Sequence, residues 1–228
     1  MKTDTVGHAN EALHAMLSQY CRLQVLAPHP DDEVFGAAGL IQQAIAQGLD
    51  VRVHIATDGE KCFGDVPRAK EQLLRQARRE ESMQAARMLG CSQPFFWNLG
   101  DGQLSQQVTA LQQCMQAQHL PKSLWIAPWF HDGHPDHEAA GQAIQALHLP
   151  VLYYPVWTLV DPPRLFRFQS DKHLYQWRLS ELQLARKWQA ARCFVTQFEQ
   201  DQRAQGSIIA QQHLVHFVTQ YEMYCHGN

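Results

Sequence analysis

Apolar and polar positions along this chain fall into short, largely apolar runs separated by amphipathic stretches. The runs 23–27, 51–56, 94–97 and 124–127 have the length and composition of buried strands, and 151–154 reads as a fifth. Between them apolar residues return at helical spacing. Segment 33–47 closes on Gly48 and 71–89 on Gly90, while 103–118 and 138–147 carry the same period. Alternation of strand and helix at this spacing predicts an α/β fold with a mostly parallel, doubly wound sheet. Reactive side chains should then gather beyond the carboxyl ends of the strands.

After Pro150 the pattern loosens through Trp157, Pro162 and Pro163, then resumes as two helices predicted over 180–192 and 207–223. The segment 156–228 is expected to pack on the sheet and help wall a cleft. With 228 residues and 45% hydrophobic content, the chain can fill one substantial core, so a single domain over 1–228 is expected.

Charge narrows the partners. A formal net charge of -3 and a pI near 6.5 provide no basic field for nucleic acid or anionic membrane, which leaves small molecules. The opening MKTDTVGHAN lacks the apolar core of a signal peptide, and no run reaches the ~18 apolar residues of a membrane span. A cytoplasmic location and no membrane span are therefore expected. Homo-oligomerisation stays open. The six cysteines include no C-x-x-C pair and read as mostly buried thiols.

Chemistry concentrates in two pentapeptides. His29-Pro30-Asp31-Asp32-Glu33 follows the first predicted strand, and His134-Pro135-Asp136-His137-Glu138 follows the fourth. Each proline biases the preceding histidine toward an extended backbone and suits the first turn of a helix, so both read as loops entering helices. One such turn is commonly just a capped helix start; two copies after separate parallel strands point to a site. A catalytic zinc takes three protein ligands of the histidine and carboxylate type and keeps a further position open, a count that His29, Asp32 and His137 meet. Adjacent carboxylates point different ways, so with Asp32 on the metal Asp31 is left free as an acid and base. His134 could face a substrate carbonyl as a donor to the oxyanion of a tetrahedral intermediate, with Asp136 beside it to orient it or favour its protonated form. His131 and Asp132 read as further loop polarity, and the remaining histidines have no partner spacing.

These motifs resemble the LmbE/PIG-L family of zinc-dependent N-deacetylases, marked by a strand followed by A-H-P-D-D-E and a later H-P-D-H. Here Pro28 stands where the family usually has alanine. Thr57-Asp58-Gly59-Glu60, Arg78, Glu81, Ala85, Leu89-Gly90, Leu99-Gly100-Asp101-Gly102, Lys187, Ala190, Thr196-Gln197 and Glu222 extend the resemblance. It implies a Rossmann-like three-layer sandwich and a zinc-dependent hydrolase, with another divalent metal as an alternative. The reaction implied removes an acetyl group, through a metal-activated water, from an N-acetylglucosamine-type conjugate. His29, Asp32 and His137 match the family's metal ligands and Asp31 its base. His134 matches the oxyanion histidine, Asp136 its supporting partner, and Arg78 and Asp101 the sugar-contacting positions. For Arg78 a helix-surface ion pair with Glu80 or Glu81 is the plainer reading. Tyr153-Tyr154-Pro155-Val156-Trp157 would bring aromatic surface near the cleft.

Two other functions use the same residues: a zinc amidase or esterase on a non-sugar substrate, and a catalytically silent sugar-binding protein. The free Asp31 argues against silence, because binding alone does not require it. No G-x-G-x-x-G follows the first strand, and the carboxylates opening the next helix would repel phosphate, which disfavours a nucleotide.

Overall fold

Alternating side chains on the central strands build two apolar faces. In a computed structural model, which describes residues 5–198, 200–201, 206–207 and 211–226, strand β1 (Arg22–Ala27) sends Leu23 and Val25 into one cluster and Leu26 into another. Strand β4 (Ser123–Pro128) divides in the same way, with Leu124 and Ile126 on the first side and Trp125 on the second. Burial of each such aliphatic side chain stabilises the fold by about 1.5–3 kcal/mol before entropy is counted.

Helix α1 (Thr5–Leu17) precedes β1, and α2 (Asp32–Ala46), β2 (Asp50–Thr57), α3 (Arg68–Leu89), β3 (Phe95–Leu99) and α4 (Val108–Gln118) lead to β4. Helix α5 (Pro135–Gln145), β5 (Val151–Tyr154), α6 (Pro162–Gln169), β6 (Leu174–Arg178), α7 (Glu181–Ala191) and α8 (Val195–Phe198) follow. A small ladder of β7 (Gln200–Asp201) with β8 (Gly206–Ser207), helix α9 (Gln211–Phe217) and strand β9 (Tyr221–Cys225) complete the described chain. The main sheet has the order β3-β2-β1-β4-β5-β9-β6. Strands β1 to β5 are parallel, and β9 runs antiparallel to both β5 and β6. Helices α2 and α7 cover one face while α4 and α5 cover the other, giving the expected three-layer α/β sandwich with a mostly parallel sheet. Because β2 lies on one side of β1 and β4 on the other, the winding reverses between β1 and β4, where such folds open a crevice.

Helix α2 is seated closely. A Cβ on Gly36 would lie 2.0 Å from the Tyr154 ring, whose hydroxyl donates to the Leu26 carbonyl at 2.7 Å. Lys187 of α7 donates from Nζ to the Phe35 carbonyl and to Glu222 of β9, both at 2.8 Å. Glu222 also accepts the Gly39 and Leu40 amides and the Tyr224 hydroxyl, so the buried carboxylate is compensated by several donors besides Lys187. It ties the last strand to the helix that opens the site.

The tail departs from expectation. A helix over 207–223 is replaced by α9 and β9, and its 208–210 stretch lies outside the described residues. Strand β9 supplies a missing ladder partner between β5 and β6, and that pairing outweighs helical periodicity. The cysteines also differ: Cys225 alone is buried, Cys21 is exposed, and the other four are half-buried. No helix among the described residues is long and apolar enough to cross a membrane.

Candidate active site

The first H-P-D motif turns sharply between β1 and α2. Asp31 has φ 117° and ψ −29°, a backbone conformation that L residues seldom adopt. Its amide donates to Glu33 Oε2 at 3.0 Å, and its carbonyl accepts the Val34 and Phe35 amides at 2.9 and 3.0 Å. These bonds offset strain of order 1–3 kcal/mol. The turn leaves the two aspartates diverging, with Asp32 accepting the His29 amide at 2.9 Å and Asp31 facing Arg78. The Pro28 carbonyl is held by the Thr57 amide and hydroxyl, so proline is accommodated before His29.

Strand β4 delivers the second motif to the same crevice. Three atoms meet there: His29 Nδ1 to Asp32 Oδ2 is 3.2 Å, Asp32 Oδ2 to His137 Nε2 is 3.1 Å, and His137 Nε2 to His29 Nδ1 is 3.3 Å. A tetrahedral metal with ligands near 2.0–2.1 Å separates them by roughly 3.3–3.4 Å, so this triangle has the dimensions of one face of such a site. Two looser groupings, His29 with His134 and His137 and His29 with Asp101 and Asp136, also bring ligand atoms within 4.8 Å of one another. The tight triangle fits better. In the second grouping the carboxylates meet the far nitrogen of His29, and in the first His134 Nδ1 already accepts the Asp136 amide at 3.2 Å.

Carboxylates back both histidines of the triangle. His137 Nδ1 lies 2.8 Å from Asp132 Oδ2, an acceptor that holds a proton on Nδ1 and turns Nε2 toward Asp32 and His29. Asp132 is fully buried and also accepts the amides of Val156, Trp157 and Thr158 at 2.9–3.0 Å. The sequence reading of Asp132 as loop polarity is thus corrected. Its place five residues before His137 carries no recognisable signal, because the loop between them sets the approach. On the other side, His29 Nε2 lies 3.2 Å from Asp101 and 3.3 Å from Asp136.

The electrostatics separate the aspartates. Burial raises the Asp31 carboxyl to about 7, against the pull of the Arg78 guanidinium at 3.3 Å, while neighbouring Asp32 pushes it further up. Burial acts on Asp32 too, but His137 and His29 hold its pKa far below the carboxylate range. Glu33 is raised to about 8 by burial and by Asp31. Burial would lower His29 and His137, yet the surrounding carboxylates outweigh it, raising His29 well above 6.5 and His137 to about 9. His134 goes the other way, lowered to about 4 by burial and then by His29 and His137. With Nδ1 accepting the Asp136 amide, His134 is a neutral imidazole carrying its proton on Nε2. It stands as a helix cap, its ring stacked toward Trp157 at a centroid distance of 6.4 Å.

Two expected placements change. Asp136 reaches His134 through its backbone only, because at the first turn of α5 its carboxylate points back to the Gly102 and Leu104 amides, at 2.7 and 3.1 Å, and to His29. Arg78 is no surface ion pair. It is buried, donating to the Gly59 and Pro30 carbonyls at 2.9 and 2.7 Å, and only glycine fits at 59, where φ is +64° and a Cβ would lie 2.0 Å from the guanidinium.

A cavity of about 310 Å³ opens over this cluster, with His29, Asp31, Asp32 and His134 at its base and Arg78, Asp101, Lys61 and Cys62 along one wall. Phe35, Val156, Trp157 and Phe217 add apolar surface to its lining. Lys61, Cys62 and Phe217 were not singled out from the sequence. A larger groove of about 910 Å³ lies between α1, α2 and α7, but none of the clustered histidines and aspartates lines it.

Fold and site together define an α/β protein with a histidine and carboxylate centre at the switch point of a parallel sheet. The chain belongs to the PIG-L family: the family model described as GlcNAc-PI de-N-acetylase matches residues 24–148, more than half of the chain and a span holding every site residue named above before Val156. It is similar to the diacetylchitobiose deacetylase of Thermococcus kodakarensis, 29% identical over 123 residues that cover 51% of this chain and 45% of that protein. It is also 29% identical over 126 residues to a probable N-acetyl-alpha-D-glucosaminyl L-malate deacetylase 2 of Bacillus subtilis, covering 53% of this chain and 57% of that one. The chain spans about half the length of the curated relatives it matches. Among solved structures, the N,N'-diacetylchitobiose deacetylase of Pyrococcus horikoshii superposes with a TM-score of 0.60 at 20% identity, over 88% of this chain and 82% of that one, a likeness of fold.

Proposed function

We propose that this protein is a metal-dependent hydrolase that removes the acetyl group from an N-acetylated amino sugar conjugate of the N-acetylglucosamine type. The observation that carries this reading is the triangle of His29 Nδ1, Asp32 Oδ2 and His137 Nε2, with Asp31 outside the triangle and paired with Arg78 beside it. His29, Asp32 and His137 would hold a divalent ion, zinc or another, and when bound it would supply Lewis acidity at the acyl oxygen and lower the pKa of water. The deacetylase names of the relatives support the amide and the N-acetyl sugar as substrate class.

The chain's own groups then divide the work. Asp31, with its carboxyl near 7, takes a proton from the attacking water and returns it to the departing nitrogen. Arg78 keeps that carboxylate in place and limits how far burial raises it. His134 donates from Nε2 to the oxygen that gains charge as the carbonyl becomes tetrahedral, a role its neutral form fills. The apolar wall of Trp157, Val156, Phe35 and Phe217 would exclude water around the acyl group or pack a sugar face.

The test is acetate release from a panel of N-acetyl sugars, non-sugar N-acetyl amides and acetyl esters, together with metal content. The account expects turnover on the sugars and loss of bound metal in His29→Ala, Asp32→Ala and His137→Ala. Turnover confined to the non-sugar compounds would replace the substrate class, and full metal retention in all three variants would end the ligand assignment.

A further inference from the structure

We infer that Trp157 and Phe217 set which acyl group the cleft accepts, admitting acetyl and turning away longer chains. The inference rests on the amide hydrolysis proposed above and assigns the aromatic lining one of its two uses. That lining is continuous. The Trp157 ring stacks toward His134 with centroids 6.4 Å and planes 19° apart, meets Phe217 edge-on at 6.1 Å, and Phe217 lies 5.1 Å from Phe35. Phe35 follows Asp32 by three residues on α2, so the surface runs from the helical turn that carries a triangle residue to the histidine that meets the oxyanion.

Addition of water to an amide carbon gives it four substituents, and three of them have polar partners here. The entering oxygen gives a proton to Asp31 and the departing nitrogen receives one from it, so both lie toward the Asp31–Arg78 pair, while the former carbonyl oxygen faces His134. The acyl carbon is the fourth. It has no hydrogen bond to make, and Phe35, Val156, Trp157 and Phe217 are the side chains of the cavity that offer it apolar contact. The sugar, bonded to the nitrogen, then extends over Arg78, Asp101 and Lys61. The rings are braced from behind. The Val156, Trp157 and Thr158 amides all donate to Asp132 at 2.9–3.0 Å, and Phe217 is buried against Phe35. A longer acyl chain would have to move rings whose backbone is pinned, whereas the single methyl of acetyl would not.

Hydrolysis breaks the C–N bond and releases a carboxylic acid and a free amine, so amine release compares acyl groups on one scale. The substrates are the best sugar of the N-acetyl panel and its N-propionyl and N-butyryl analogues, with kcat/KM and metal content read on wild type, Trp157→Ala and Phe217→Leu. The inference expects wild type to prefer acetyl to propionyl by roughly 10–200-fold, the range one methylene is worth in an apolar pocket, and expects the preference to narrow by about tenfold or more in Trp157→Ala at unchanged metal content. Equal wild-type rates on the three acyl groups, or an unchanged preference in both variants, would overturn it. Release of amine from no N-acyl sugar by metal-loaded wild type would instead overturn the hydrolysis reading, and this inference with it. Should Trp157→Ala lose its fold or its metal, Trp157→Phe and Phe217→Leu decide by the direction in which the preference moves.

Discussion

Acidification should cost this protein stability through one histidine far from the cleft. His54 on β2 is fully buried, its ring 5.3–5.4 Å from the rings of Phe95, Trp97 and Trp125. Nε2 lies 2.7 Å from Gln24 Oε1, whereas Nδ1 is buried with no hydrogen-bond partner. Burial, with a smaller contribution from Arg52, lowers the pKa from 6.5 to about 3. The folded state thus keeps His54 neutral where the unfolded chain protonates it. Stability from this group is fully present above pH 6.5 and is lost as pH falls toward 3, because the unfolded state binds the extra proton. One pKa unit is worth about 1.4 kcal/mol, so the loss by pH 5 is roughly 2 kcal/mol. Urea denaturation at pH 7.5 and pH 5 on wild type and His54→Gln measures it. The variant is less stable at both values, but its drop between them should be smaller than that of wild type by about 2 kcal/mol, since carboxylates and the cleft contribute equally to both proteins. Parallel pH profiles would show that His54 gains a proton in the fold and refute the reasoning.

Asp31→Asn should lose roughly 10²–10⁴-fold and His134→Ala about 10²–10³-fold in deacetylation rate, each retaining its metal. Rate and metal content are measured on the same samples; full activity in Asp31→Asn would remove it as the base, and lost metal would make it a ligand. Lys187→Met leaves Glu222 charged and buried without its cation, and should destabilise the fold by about 3–5 kcal/mol in a denaturant titration, with Glu222→Gln added to it recovering part of the loss. Gly59→Ala pushes a Cβ into the Arg78 guanidinium at positive φ, so it should lower kcat through Asp31 while metal content stays intact, as parallel kinetic and metal assays would show.

Strands β1, β2, β4 and β5 and the helices between them are legible in the sequence because their apolar runs are largely buried and local periodicity agrees with the final packing, whereas edge strand β3 is legible from its apolar composition although it is only partly covered. The two H-P-D motifs are legible for a related reason: they follow β1 and β4, the strands between which the winding reverses, so topology alone brings them together. Strand β9 is hidden by its own chemistry. Glu222 interrupts an otherwise apolar strand and is tolerated only because Lys187, distant in sequence, neutralises it in the core. Asp132 and the turned carboxylates of Asp101 and Asp136 are invisible for a further reason, since their partners are backbone amides from other loops and no residue pattern encodes which amides those will be. Arg78 differs again: a charge on a helix reads as surface until Gly59 is seen to clear space for it.

The central claim is that His29, Asp32 and His137 hold a metal on which amide hydrolysis depends. The most direct measurement is acetate release from an N-acetylglucosamine conjugate by metal-stripped protein as zinc is returned stepwise. The account predicts no release at the start and a rise that saturates at one ion per chain. Undiminished release after stripping, or none at any zinc level on any N-acetyl sugar, would contradict it.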